Sequence, residues 1–191
     1  MNVLDAIQKR RAVRSFSDQP VPADVVETIL RAGSRAQSSK NSQPWRFIVG
    51  RKGQGESWQK LFDCLGAGNQ AWCVRVPVLM LSVAVPTFRH NGSPNRHGQH
   101  DTGMASAQMA IQATSMGLAI HFMAGFDRDK ARTTLAIPEG YEPMAMIALG
   151  RQAPADVLPE ETRARELAPR QRLPLEEIAF DGAWGRSLTL G

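Results

Sequence analysis

Cysteine is scarce in this 191-residue chain, which carries only Cys64 and Cys73. They stand nine positions apart without metal-ligand spacing around them, so they offer neither a disulfide framework nor a zinc-type cluster. They are expected to be two reduced, partly buried thiols of a cytoplasmic protein. A long apolar run is missing too. The longest, Val76 to Val85, is broken by Pro77 and Ser82 and reaches about half of the roughly 20 residues a membrane-spanning helix needs. The opening MNVLDAIQKRRAVR has no apolar stretch of the signal-peptide kind, so export is not expected. Internal repeats are absent, and composition gives no sign of a disordered or fibrous protein.

What remains is an ordinary globular composition, 42% hydrophobic and 21% charged, long enough to bury a full core. One domain is expected over residues 1–191, with 151–191 as an extended arm. The net charge of +5 favours an anionic partner, and its distribution narrows the choice. The first fourteen residues hold Lys9, Arg10, Arg11 and Arg14 against the single acid Asp5, whereas the arm is nearly balanced. Focal basicity of this kind suits a site better than a broad footprint.

The pattern along the chain is α/β, more closely α+β: a mixed central sheet flanked by helices. Asn2 can cap a first helix with Val3, Leu4 and Ile7 on one face, a stripe that continues onto Arg10, Arg11 and Arg14. Those arginines either meet an anion or point into water beyond a helix ending near Lys9, and the segment itself favours neither. A second helix through Val25, Val26, Ile29 and Leu30 has Gly33 as its expected C-terminal cap. Strands are expected at Phe47–Val49, Val76–Val85, Leu118–Met123 and Met144–Leu149, with helices near Trp58–Leu65, Asp101–Met116 and from Asp127 to Ala136. The Gly-, Asn- and Pro-rich stretch from Thr87 to His100 reads as a loop or lid.

Three separated segments carry the functional argument. RRAVRSF, Arg10 to Phe16, offers guanidinium groups that bind phosphate bidentately. SSKNSQPW, Ser38 to Trp45, is a turn whose hydroxyls and amides can bond a ligand's polar edge. HFMAGFD, His121 to Asp127, ends a strand at a glycine that permits close backbone approach, and it combines with RQRLP, Arg170 to Pro174. Cations more than 150 residues apart make sense if they converge on one phosphate.

These four motifs, in this order and from about Asp5 to Trp184, resemble the nitroreductase family. GNQAW, Gly68 to Trp72, together with Asn91, Gly92, Asn95 and Asp101, is similar to a subgroup of its short members. The resemblance implies an FMN-dependent oxidoreductase that takes hydride from NADH or NADPH and passes it, by a ping-pong mechanism, to a nitroaromatic, quinone or other electron-poor acceptor. It implies a homodimer with FMN at the interface. Arg10, Arg172 and Arg170 would hold the phosphate, and Arg11, Ala12 and Arg14 would follow the ribityl chain and pyrimidine edge. Arg14 would stabilise the negative charge of the reduced ring. Ser38, Ser39 and Asn41 would come from the partner subunit. The backbone of Ala124 and Gly125 would face flavin N5, and Asn69 would reach the pyrimidine. No general acid or base is implied. Three departures stand out: Ala12 where many members have Ser, Gln37 where Pro is common, and Trp72 where some place Lys.

Competing readings are a nucleic-acid-binding module built on the N-terminal arginines, or a flavin-using dehalogenase or flavin-degrading branch of the same fold. The first lacks any helix-turn-helix, RNA-recognition or zinc pattern, so neither nucleic acid nor membrane is expected as a partner. His97 and His100 beside Asp101 are too loosely spaced for a metal site, and His121 reads as a core histidine. Met104, Met109 and Met116 read as helix packing.

Overall fold

The structure is a computed structural model that describes residues 2–189. Four strands form one sheet: β1 (Trp45–Arg51), β2 (Val78–Ala84), β3 (Ala119–Met123) and β4 (Glu142–Gly150), in the spatial order β1-β2-β4-β3. Among the described residues all three pairings are antiparallel. The α+β class stands, but the expected mixed sheet is corrected: among the described residues it is antiparallel throughout. Each residue of β2 is buried, which explains its unbroken run of Val, Leu and Met: a central strand covered on both faces has no polar side to show.

Alternation along the strands sorts the core into two layers. Leu79, Leu81, Met146 and Ala148 face one way, against Phe16, Trp58 and Trp72. Val78, Met80, Ile147 and Leu149 face the other, against Ile29 and Met109. The second layer is closed by α2 (Ala23–Gly33) and α5 (Gly98–Ser115). The first is closed by α3 (Ser57–Asp63), α4 (Ala67–Cys73) and α6 (Arg128–Thr134). A short α1 (Asp5–Lys9) lies against α5 and buries none of its own residues. Beyond β4 the chain extends, with α7 (Glu160–Leu167) as its one α-helix among the described residues. No helix among these is long and apolar enough to cross a membrane.

Several expectations need correction. Leu4, and not Asn2, occupies the N-cap of α1, and no side chain caps that end. Gly33 is not a left-handed cap, because the helix ends on Ser34 in right-handed geometry. Its lack of a side chain serves packing: a Cβ there would lie 2.8 Å from Met109 Cγ and 3.3 Å from the Ala105 carbonyl oxygen. The small residues of α5 allow that approach. Helix α5 starts at Gly98, shortening the preceding loop, and Gly68 to Trp72 is helical. Met109 is fully buried, as packing requires, but Met116 is 36% exposed. The Asp127 carboxylate caps α6 by accepting the Lys130 N–H at 2.9 Å, as expected.

Candidate functional site

Residues 10–17 form a strap between α1 and α2 that belongs to no helix or strand of the sheet. It is held at four points along the backbone. The Val13 carbonyl meets His121 Nδ1 at 2.7 Å, and the Arg14 N–H donates to Glu166 Oε2 at 2.9 Å. The Ser15 carbonyl accepts the Ala153 N–H, and the Ser17 N–H donates to the Arg151 carbonyl, both at 2.9 Å. Val13 and Phe16 are buried, with Phe16 stacked on Trp72 at 5.9 Å between ring centroids. Anchoring those two apolar side chains inward leaves Arg10, Arg11, Ala12 and Arg14 half-buried or exposed.

His121 is a core histidine, as expected: it is buried and tilted against Trp72 at 5.0 Å. Burial pushes its pKa down, which the Val13 carbonyl opposes and the Arg14 charge reinforces. Since a carbonyl only accepts, a neutral ring must carry its proton on Nδ1. Both cysteines are free and buried. Burial raises the Cys64 thiol and pushes Cys73 up to about 12, so neither is poised as a nucleophile.

The two arginine clusters do converge. Arg170 donates to the carbonyls of Arg10 and Gln8, the latter at 2.8 Å, bringing the arm against the strap. Burial, and then the charges of Arg170 and Arg172, pull the Arg10 guanidinium below its ordinary pKa. Among the described residues, none of Arg10, Arg11, Arg14, Arg170 and Arg172 forms an ion pair with a carboxylate. Arg10 and Arg11 line a cleft of about 230 Å³ with Val13, Thr114, Gly117 and Ala119. Like charges gathered in a half-buried cleft repel, and an anion removes the cost. Arg11 is partly committed elsewhere, since its Nη2 donates to the Glu166 and Ala168 carbonyls at 2.8 and 3.4 Å.

Asn69, Ala124 and Gly125 meet at the other end of β3. Asn69 Nδ2 donates to the Gly125 carbonyl at 2.9 Å, and the Gly66 N–H reaches the same oxygen at 3.1 Å. A Cβ on Gly125 would lie 2.8 Å from Asn69 Nδ2, so the glycine answers a close approach within the chain itself. From Ala119 at the cleft to Ala124 is five residues of strand, about 17 Å. The edge of β3 therefore runs from a cationic end, past Arg14, to a backbone end.

Ser38, Ser39 and Asn41 lie elsewhere. Their turn places Lys40, Asn41 and Gln43 at positive φ (51°, 52° and 47°), a conformation that costs roughly 1 kcal/mol or more per residue. It is stapled by Ser38 Oγ, which accepts the Gln43 N–H at 3.0 Å, and by Asp101 Oδ2, which accepts the Ser39 N–H at 2.9 Å. Asp101 and Thr114 are thirteen residues apart on α5, about 20 Å along its axis. One chain thus keeps this turn well away from the arginine cleft. Asp101 is the anchor of the turn and holds His100 at 3.2 Å; no cluster fit to bind a metal occurs among the described residues.

Sequence reasoning missed Glu166. The residue is 6% exposed and its carboxylate bridges two strap residues, a pairing that only the fold reveals.

A sequence model described as "Nitroreductase family" matches residues 7–71 and 57–151. A 15.4 kDa protein of Mycolicibacterium smegmatis, of uncharacterised function, is 35% identical over 153 residues, covering 75% of this chain and 99% of that one. The FMN reductase (NADPH) of Bacillus subtilis is 26% identical over 170 residues, covering 80% of this chain and 66% of that one. A crystal structure described as an oxidoreductase containing FMN superposes with a TM-score of 0.91 at 32% identity, covering 98% and 95% of the two chains. With its arginine-lined strap, its α+β sandwich and these matches, the chain belongs to the nitroreductase family.

Proposed function

We propose that the chain is an FMN-dependent NAD(P)H oxidoreductase that works as a cytoplasmic homodimer with each flavin site built from both subunits. The observation that carries this reading is the gathering of Arg10, Arg170 and Arg172, from opposite ends of the chain, none of them ion-paired to a carboxylate among the described residues. The residues fit the cofactor. Arg10, Arg170 and Arg172 would hold the phosphate, Arg11, Ala12 and Arg14 would follow the ribityl chain and pyrimidine edge, and Asn69 with the Ala124–Gly125 backbone would meet the ring. When bound, FMN supplies the redox chemistry, taking hydride from NADH or NADPH and passing it to a nitroaromatic, quinone or other electron-poor acceptor in ping-pong fashion.

The chain's own residues bind, orient and bias. Arg14 would place a fixed positive charge beside the ring of a bound flavin, which would favour its more negative state. The β3 edge sets the direction of binding, since its Ala119 end gathers Arg10 and Arg11, neither of which forms an ion pair among the described residues. No residue need move a proton as a dedicated acid or base.

Two observations support the homodimer. Asp101, which anchors the turn at Ser38–Asn41, and Thr114 at the arginine cleft are about 20 Å apart along α5, which favours a contribution of the turn to the site of a second copy. Helix α1 and the arm also present uncovered apolar side chains: Leu4 is 68% exposed, Ile178 61% and Trp184 91%. A soluble surface rarely leaves such residues bare in quantity. The buried free thiols suit a reducing compartment.

Purified protein tests the reading directly. Yellow colour, flavin absorbance, and NADH or NADPH oxidation with a quinone or nitroaromatic acceptor are expected. A protein that FMN neither colours nor stabilises against heat would contradict it.

A further inference from the structure

Both oxygens of the Glu166 carboxylate are occupied, and neither partner is an arginine side chain. Oε2 accepts the Arg14 backbone N–H at 2.9 Å and Oε1 accepts the Ser15 hydroxyl at 3.1 Å. The carboxylate sits beside the strap and the late arginines, yet Arg10, Arg11, Arg14, Arg170 and Arg172 all lack ion pairs to it. A buried carboxylate placed so would ordinarily seize a guanidinium. Here the carboxylate is taken up by a backbone N–H and a hydroxyl, and the cations, which meet only carbonyl groups, keep their charge unpaired.

The docking is reciprocal. Glu166 stands near the C-terminus of α7, where carbonyl groups lack partners within the helix. Arg11 of the strap donates to two of those carbonyls, Glu166 and Ala168. Four and six residues past Glu166 come Arg170 and Arg172, and Arg170 ties back to the carbonyls of Gln8 and Arg10. Past α7 the chain from 169 to 174 belongs to no helix or strand, and the docked end of α7 fixes where the late arginines begin.

We infer that Glu166 is a positioning residue for the phosphate site: by clamping the Arg14–Ser15 backbone to the end of α7, it brings the two halves of the cation cluster together without neutralising either. The inference rests on the FMN reading above. It concerns a residue that touches no ligand and acts through the arginines it places.

Riboflavin, which lacks the phosphate, separates positioning from simple structural support. Titrate the full-length chain and its Glu166→Gln variant with FMN and with riboflavin, following flavin fluorescence, and record thermal melts alongside. Glutamine keeps the volume but presents at least one N–H to a site that needs two acceptors. FMN binding should weaken about tenfold, and riboflavin binding by several-fold less, since riboflavin can lose only what Arg14 contributes at the ring edge. Ser15→Ala removes only the hydroxyl partner and should give a smaller loss of the same selective kind. It also stands as the test if the Gln variant does not fold. Equal losses for FMN and riboflavin in a folded variant, or no loss for either, would overturn the inference. A wild-type chain that binds neither flavin would overturn the FMN reading itself, and this inference with it.

Discussion

Asn69 Nδ2 and the Gly125 carbonyl oxygen lie 2.9 Å apart and join α4 to the residues that follow β3, 56 positions on in sequence. The hydrogen bond fixes the backbone end of the proposed flavin groove. A side chain on Gly125 would push its Cβ to 2.8 Å from that same Nδ2. Gly125→Ala is therefore expected to break the bond. The clashing atom ends a flexible side chain, so the stability cost should be modest, about 1 kcal/mol in urea unfolding. Flavin affinity should fall by more than that implies, because the groove loses its shape as well. An unchanged FMN titration would show that this end of the groove does not contact the ring.

Gly33→Ala probes the packing of α2 on α5. Alanine improves helix propensity by up to about 1 kcal/mol, and Gly33 is the last helical residue, without a positive φ that an alanine would resist. Against that, the new methyl would meet Met109 Cγ at 2.8 Å and the Ala105 carbonyl at 3.3 Å. Met109 can shift, whereas the backbone oxygen cannot without moving α5. The expected net is destabilisation of about 1–2 kcal/mol in chemical unfolding. A stabilised variant would mean that the two helices have room to separate.

His121 should make stability depend on pH. Burial holds its folded-state pKa below the unfolded value of 6.5, with Arg14 and Arg10 lowering it and the Val13 carbonyl and Glu166 opposing. The unfolded chain then binds more protons in the interval between the two pKa values. Its contribution is fully present above about pH 6.5 and is lost as pH falls toward the folded value, by at most about 1.4 kcal/mol per pH unit. His121→Gln, a neutral donor to Val13, should flatten that part of the stability–pH curve. A curve of unchanged slope would show that His121 does not govern it.

Subunit complementation tests the shared site. One variant would carry Arg10→Ala with Arg172→Ala, and the other Ser39→Ala with Asn41→Ala. Each alone should bind FMN poorly. If the turn serves the partner's site, mixed dimers carry both defects in one site and none in the other. Random reassembly of equal amounts then restores about a quarter of the wild-type sites. Absence of any recovery after proven subunit exchange would place the turn and the arginines in the same chain's site, or the turn in none.

How far the sequence revealed this arrangement depends on how local each signal is. The unbroken apolar character of β2 and the Asp127 cap of α6 are local, and both are visible in the residues themselves. Helix α4 is not, since Gly68 and Asn69 are poor helix formers and the segment is held by burial of Trp72 and Cys73. Gly33 shows a different ambiguity: a capping glycine and a close-packing glycine look identical before their neighbours are known. The arginines of the strap are legible as a cluster, and a second cluster at Arg170 and Arg172 makes chemical sense if the two share one anion. Asp101 and Glu166 were not legible as anchors. Their partners are backbone groups 62 and 152 positions away, and a backbone N–H leaves no mark in a sequence.

The central claim is that separated arginines gather to hold a phosphate-bearing flavin. Comparative titration of the wild-type chain with FMN and riboflavin, alongside Arg10→Ala and Arg172→Ala, addresses it most directly. FMN should bind about a hundredfold more tightly than riboflavin, at one flavin per chain, and each arginine variant should erase roughly a tenfold share of that preference. Equal affinity for the two flavins, or a preference that both variants leave intact, would contradict the account.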